Sequence, residues 1–194
     1  MPGWAWVLVA IAAGIVVALI VWQALKAQRS RGLKQRFGPE YDRTVERSDS
    51  RGDAETELEA RKQRRDQLDI RPLSSAARER YRAEWRRVQA RFVDDPTGAV
   101  QQSDTLIQSV MRERGYPVED FEQRAADVSV DHPNVVENYR AGRRLAGSED
   151  TENQRQAMVH HRALFDELVE ETTDRPLSRD TDTTTATTTE ERVR

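Results

Sequence analysis

Three histidines are the side chains of this sequence best suited to acid–base or metal chemistry near neutral pH. His160 and His161 are adjacent, so on a helix they point about 100° apart and cannot share one ion as an i, i+4 pair does. A helical wheel puts His161 on an apolar face, either as a buried base or metal ligand or as a neutral core histidine. The second interpretation is favoured, and burial would then lower the histidine pKa. His132, before Pro133, fits the start of a helix better than catalysis.

Adjacent carboxylates are frequent because 34 of the 194 residues are Asp or Glu. An acid–base dyad needs two carboxyl groups in unlike environments, whereas Glu119-Asp120, Asp94-Asp95 and Glu170-Glu171 have the positions of charges at helix ends. The sequence contains no GxGxxG, GxxxxGK[ST], GxSxG or HExxH motif. We therefore predict that the protein is not an enzyme, and we assign no catalytic residue, metal site or cofactor. The ligand-binding residues stay unknown.

Composition narrows the function classes further. The chain has no cysteine, which excludes disulfides, thiolate metal sites and cysteine nucleophiles. Charged residues make up 34% of the chain, yet the net charge is only −3. A protein that binds nucleic acids without sequence preference needs a surface whose charges are predominantly positive, so we expect no nucleic-acid partner.

Apolar side chains recur at helical spacing in the second half of the chain. One stripe steps by four, four, three and four residues through Ala77, Tyr81, Trp85, Val88 and Phe92. Its three rings could line a ligand groove, but this spacing favours core packing. We expect helices at about 75–93, 96–114, 118–126, 133–146 and 151–171. No segment alternates like a strand, so the sequence predicts an all-α domain at residues 70–171, a bundle of four or five helices.

Residues 26–69 are predicted to be a basic flank followed by a charged helical linker. Phe37, Tyr41 and Val45 recur every four residues and form a short apolar stripe, placed near a membrane or docked on the body. From Asp53 the linker has few apolar side chains and is expected to be a solvated strut or to pack weakly; whether it packs on the domain stays open. The Thr-rich residues 172–194 have almost nothing to bury, so we expect them to be disordered.

The most apolar stretch runs from Trp4 to Leu25 and carries no charge. Its length corresponds to about 33 Å of helix, against a hydrocarbon core of about 30 Å. The stretch therefore predicts a single transmembrane anchor within residues 1–25, retained rather than cleaved. The small residues Ala10, Gly14 and Ala18 lie on one face, where they could support a homodimer through this helix.

Cations without an intervening acid follow that stretch, and they are Lys26, Arg29, Arg31, Lys34 and Arg36. Basic flanks stay on the cytoplasmic side, so the sequence predicts a single-pass protein of the inner (plasma) membrane, with its N-terminus out and its soluble domain cytoplasmic. The same cations would attract anionic membrane lipid.

Several stretches carry a resemblance to a known group of sequences. They are RFGPEYDRTVERS at 36–48, LDIRPLS at 68–74, WRRVQARFVDDPTGAV at 85–100, MRERGYPVEDFEQRAADVSVDHP at 111–133 and RQAMVHHRALFDEL at 155–168. In these stretches the chain resembles a group of uncharacterised single-span bacterial membrane proteins, often labelled only as hypothetical or secreted. The resemblance implies an anchored helical protein of unknown function and brings no catalytic residues.

Three functional hypotheses follow. The leading one is a membrane-anchored scaffold or adaptor that binds an unknown protein partner. The alternative is a small-molecule or stress sensor whose pocket lies between helices near Trp85 and His161. The third is a tethered hydrolase acting through His161.

Overall fold

The computed structural model describes the backbone of residues 3–170 and the side chains of residues 13–170. All regular structure in this range is α-helical, which confirms the predicted all-α class. The helices are α1 (Gly3–Phe37), α2 (Pro39–Arg47), α3 (Arg51–Asp66), α4 (Ser75–Arg91), α5 (Pro96–Arg114), α6 (Phe121–Asp131), α7 (Val136–Leu145) and α8 (Thr151–Glu170). The expected disorder of residues 172–194 concerns a segment outside the described residues.

The predicted transmembrane anchor within residues 1–25 is wrong. Over the part of the chain that the structure describes, no helix combines the length and apolarity needed to cross a membrane. The uncharged run of α1 ends at Leu25, and the helix then continues through a stretch rich in Lys and Arg to Phe37. The prediction of a single-pass protein of the inner membrane, with its N-terminus out, is wrong for the same reason. The row of small residues on this helix includes Ala10, whose side chain lies outside the described residues.

Short polar side chains set the starts of the helices in the second half of the chain. The Ser74 hydroxyl and the Asp95 carboxylate each accept a hydrogen bond from the backbone amide three residues further on. Pro96 follows in the first turn of α5, where its missing N–H costs nothing. Gly115 ends α5 with φ of 99°, a conformation that glycine adopts without strain. These local signals place α4 and α5 where the sequence predicts them. The helix predicted at 118–126 is α6, which begins at Phe121 and continues five residues past the predicted end, to Asp131.

The helices from α4 to α8 form one bundle. In it, α8 packs against α7 and α5, and α4 packs against α5. The rings of Trp85 and Phe165 stack with centroids 4.6 Å apart, and Tyr81 and Val88 are buried in the same core. Phe92 is half-buried at its edge. The aromatic stripe therefore packs into the core, as the helical spacing favours.

A second, smaller core lies at the other side of α6. We call the stretch from Ser30 to the end of α3 the N-terminal unit. Its apolar contacts are made by Leu33, Phe37, Tyr41 and Leu58 together with Val130 of α6. The charged helix was expected to be a solvated strut or to pack weakly, and its docking was left open. In the structure it is packed: α3 contacts α1, α2 and α6, and both Ala54 and Leu58 are fully buried.

Candidate functional site

Most of the large apolar side chains that the described residues expose belong to α1. They are Ile15, Val16, Val17, Leu19, Ile20, Val21, Trp22 and Leu25, and we call them the α1 apolar surface. Each of these residues is at least 50% exposed. The largest apolar patch of an ordinary monomer covers roughly 300–600 Å², and larger ones mark interaction sites or aggregation liabilities. The α1 apolar surface surrounds the helix on all sides, so no single face of the body can cover it.

The other end of the same helix is fixed to the body. Leu33 and Phe37 insert into the small core, and the buried Ser30 hydroxyl donates to Glu55 of α3 at 2.6 Å. The same carboxylate oxygen accepts from the Tyr41 hydroxyl at 2.8 Å and from Arg51 Nε at 3.0 Å. Burial raises the pKa of Glu55, but these three donors outweigh burial and hold the pKa below its ordinary value. The base of α1 therefore has a defined direction relative to the body.

A buried ion-pair group joins the N-terminal unit to the bundle. The Glu40 carboxylate is 3% exposed and accepts two hydrogen bonds of 2.7 Å from the guanidinium of Arg140 in α7. Arg61 of α3 donates a third at 2.8 Å. Burial raises the pKa of Glu40, and the two arginines more than offset it, so that the pKa lies below its ordinary value. Three helices are thus joined through one carboxylate.

Two carboxylates of α6 strengthen this interface. Asp131 contacts Arg65 of α3 and accepts from the Tyr116 hydroxyl at 2.8 Å. Asp127 is fully buried, lies 3.9 Å from Arg64, and accepts from a glutamine one turn earlier at 2.8 Å. Burial raises the pKa of Asp127 above its ordinary value. The contact surface between the N-terminal unit and the bundle is consequently much more polar than either core.

His161 lies in the bundle core with no exposed surface. Its Nδ1 is 2.6 Å from the Ser103 hydroxyl oxygen, and that hydroxyl is 2.7 Å from the Val100 carbonyl oxygen. The simplest assignment has Ser103 donating to Val100 and the Nδ1–H of His161 donating to Ser103. Burial lowers the histidine pKa to about 4, and nearby Asp104 offsets only part of this effect. The ring is therefore neutral at pH 7.

A serine beside a histidine also resembles a nucleophile with its base. Ser103 and His161 both have 0% exposure, however, so no substrate can reach either side chain in this conformation. Gly142 of α7 closes the remaining side, because a Cβ at this glycine would lie 2.5 Å from the ring carbon Cδ2 of His161. The geometry is that of a neutral core histidine. The sensor hypothesis near Trp85 and His161 stays a prediction, and it would require the core to open.

The other sequence candidates are dispersed over the fold. His160 Nδ1 lies 3.0 Å from an Asn138 oxygen, and His132 Nδ1 lies 3.2 Å from Glu167. Asp95 caps α5 and Asp120 caps α6, which is the helix-end role that the sequence suggests. Among the described residues, neither these two histidines nor these two carboxylates form one site with His161.

Sequence reasoning missed the Glu40–Arg61–Arg140 group and the Ser30–Glu55 contact. The partners are separated by 100 residues for Glu40 and Arg140 and by 25 residues for Ser30 and Glu55. One weak signal existed: docking on the body was one of the two placements considered for the apolar stripe through Phe37 and Tyr41, and the buried face of α2 also carries Glu40. The sequence around Glu40 does not indicate with which arginine this carboxylate pairs.

Between residues 13 and 170, no three His, Cys, Asp or Glu side chains are grouped so that they could hold a metal ion. No protein-family model, no curated protein and no solved structure matches this chain.

Proposed function

We propose that this chain is a protein-binding scaffold whose binding element is the α1 apolar surface and whose partner is a second copy of the chain. The supporting observation is the continuous exposure of Ile15 to Leu25 on a helix whose base is fixed to a folded body. Association of the helices would bring the bodies together, as a scaffold requires.

The chemistry of the surface favours a copy of the same helix. Between Ala13 and Leu25 there is no charged side chain, so association buries no charge. Gly14 has open space around it, and Ala18 lies one turn further on, so two backbones can approach closely at this point. A stable interface buries at least about 1,000 Å² in total, or about 500 Å² per copy. Eight half-exposed apolar side chains can supply this area, and closed symmetric homo-oligomers are the commonest assemblies.

The experiment is sedimentation velocity of the full chain in buffer without detergent. Ile15→Glu with Val17→Glu places charges about 200° apart around α1 and is expected to give monomers, because each association face would then bury a carboxylate. The matched control is Val93→Glu with Val159→Glu, two apolar residues that are 83% and 51% exposed outside α1. The control and the unaltered chain are expected to remain oligomeric.

Three results would contradict the proposal. The first is a monomeric unaltered chain. The second is an oligomer that persists in the Ile15→Glu, Val17→Glu variant. The third is a particle whose excess mass belongs to a bound amphiphile or to another protein, because such a ligand would be covering α1 instead of a second copy.

A further inference from the structure

An open cleft lies where the apolar part of α1 meets the start of α3. Its volume is about 520 Å³. The side chains that matter for its chemistry are Trp22, Lys26 and Arg31 of α1 and Arg51 of α3. The lining includes three cations and no carboxylate.

Lys26 and Arg31 of the cleft differ from Lys34 and Arg36, which lie nearer the end of α1. Lys34 pairs with Asp42 at 3.0 Å, and Arg36 lies 4.0 Å from Asp131. Lys26 and Arg31 have no acidic partner among the described residues. The described ion pairs thus neutralise Lys34 and Arg36 and leave Lys26, Arg29 and Arg31 unpaired, and of these three Lys26 and Arg31 line the cleft.

Arg51 contributes a positioned guanidinium. Its Nε is held by the Tyr41 hydroxyl at 2.9 Å and by Glu55 at 3.0 Å, while 63% of the side chain stays exposed. Fixing Nε orients the terminal nitrogens, so less conformational entropy is lost when they bind an anion. Glu55 is already occupied by three donors and does not line the cleft.

Trp22 supplies an apolar wall. The residue is 60% exposed, and Lys26 Nζ lies 5.6 Å from its ring centroid. The ring therefore adjoins both the cationic cleft and the rest of the α1 apolar surface. A ligand that satisfies the whole cleft carries an anionic head with several acceptor oxygens and an apolar substituent.

We propose that the cleft formed by Trp22, Lys26, Arg31 and Arg51 binds a phosphate ester with an apolar substituent. A phosphate group offers three acceptor oxygens and a charge near −2, which matches a cleft lined by three cations. The ester substituent would lie against Trp22. This proposal does not depend on self-association through α1, because the cleft is built within one chain.

Isothermal titration calorimetry of the full chain with hexyl phosphate tests this assignment. Lys26→Ala with Arg31→Ala removes two cations that have no acidic partner, so the fold should persist while affinity falls about tenfold or more. The charge-matched control is Arg29→Ala with Arg86→Ala, two exposed arginines outside the cleft. This control is expected to change affinity less than twofold.

Inorganic phosphate and hexanol serve as the other two probes. Hexyl phosphate is expected to bind more tightly than either, because only the ester engages both the cations and Trp22. The assignment is overturned if hexyl phosphate does not bind, if both variants weaken binding equally, or if hexanol binds as well. Equal affinity for inorganic phosphate and the ester would overturn the role of Trp22. Repeating the titration with the Ile15→Glu, Val17→Glu variant separates this test from that of the scaffold.

Discussion

The bundle and the N-terminal unit are stabilised by different kinds of interaction. The core of α4 to α8 is apolar, with stacked rings at Trp85 and Phe165 and one neutral histidine. The N-terminal unit has only a small apolar core, to which α6 adds Val130, and its other contacts with the bundle include the ion pairs of Glu40 with Arg140 and of Arg65 with Asp131. Apolar packing is spread over many contacts, whereas a buried ion pair concentrates its effect in a few atoms. The two regions should therefore respond differently to single substitutions.

The largest effect is expected from Glu40→Ala. The substitution leaves the buried guanidinium of Arg140 without its bidentate partner, and breaking such a pair typically costs about 3–5 kcal/mol. Urea denaturation should show this loss, and hydrogen exchange should rise more in α2 and α3 than in α8. Glu57→Ala is the control, because Glu57 also contacts Arg61 but is half exposed, and it should cost less than about 0.5 kcal/mol. Uniform loss of protection across the bundle would show that the two regions unfold as one.

A smaller effect is expected from acid acting on the bundle core. The pKa of His161 is about 4 in the folded chain and ordinarily 6.5, so protons bind the unfolded state more tightly. Its contribution to stability is fully present above pH 6.5 and is lost as the pH falls towards 4, at a cost on the order of 3 kcal/mol.

The measurement is the free energy of unfolding against pH for the unaltered chain and for His161→Asn. The variant keeps a donor near the position of Nδ1 and should lose the dependence between pH 6.5 and 4.5. Glu40 and Glu55 have lowered pKa values, so their contributions are present above their unfolded pKa and decline at still lower pH. An unchanged pH profile in His161→Asn would contradict the assignment of this step to His161.

A third contrast compares two helical glycines. Gly142→Ala would place a methyl group 2.5 Å from the His161 ring, which should cost about 1–3 kcal/mol. Gly32→Ala in α1 meets no atom within 4 Å and should instead stabilise the chain by about 0.5–1 kcal/mol through helix propensity. Thermal unfolding of the two variants measures the opposite signs. Stabilisation by Gly142→Ala would mean that the His161 ring can move away.

The smallest effect is expected at the base of α1. Ser30→Ala removes the 2.6 Å hydrogen bond to Glu55 and should cost about 1 kcal/mol, since Tyr41 and Arg51 still satisfy the carboxylate. The exposed Thr56→Ala in α3 provides the control and should be nearly neutral. Chemical denaturation distinguishes the two. A loss above about 3 kcal/mol at Ser30 would mean that this contact, and not Glu40, holds the unit in place.

The same contrast explains what could be predicted from the sequence. The bundle helices were predictable because their signals are local: the stripe through Tyr81 and Trp85, the cap at Asp95 and the stop at Gly115. The burial of His161 follows from the same periodicity. The packing of the N-terminal unit was not predictable, because its contacts join residues far apart in the chain: Glu40 meets Arg140, 100 residues further along.

The predicted anchor failed for a related reason. The apolar stretch that ends at Leu25 indicates a surface that must be buried, but the sequence does not show what buries it. The structure adds that Ser30, Leu33 and Phe37 fix the base of this helix to a charged body. The candidate binding surface was thus visible in the sequence as the uncharged run ending at Leu25, although its assigned role was wrong.

Cysteine cross-linking tests the central claim of self-association through α1 most directly. The chain has no cysteine, so Ile15→Cys, Val16→Cys and Val17→Cys each introduce a single thiol on a different side of α1. Mild oxidation of the dilute full chain is predicted to give a disulfide dimer with at least one of them, because a bond forms only when two Cα atoms come within about 7 Å. Val93→Cys, at an exposed position outside α1, should stay monomeric. Absence of a dimer from all three α1 variants, or equal cross-linking at position 93, would contradict the claim.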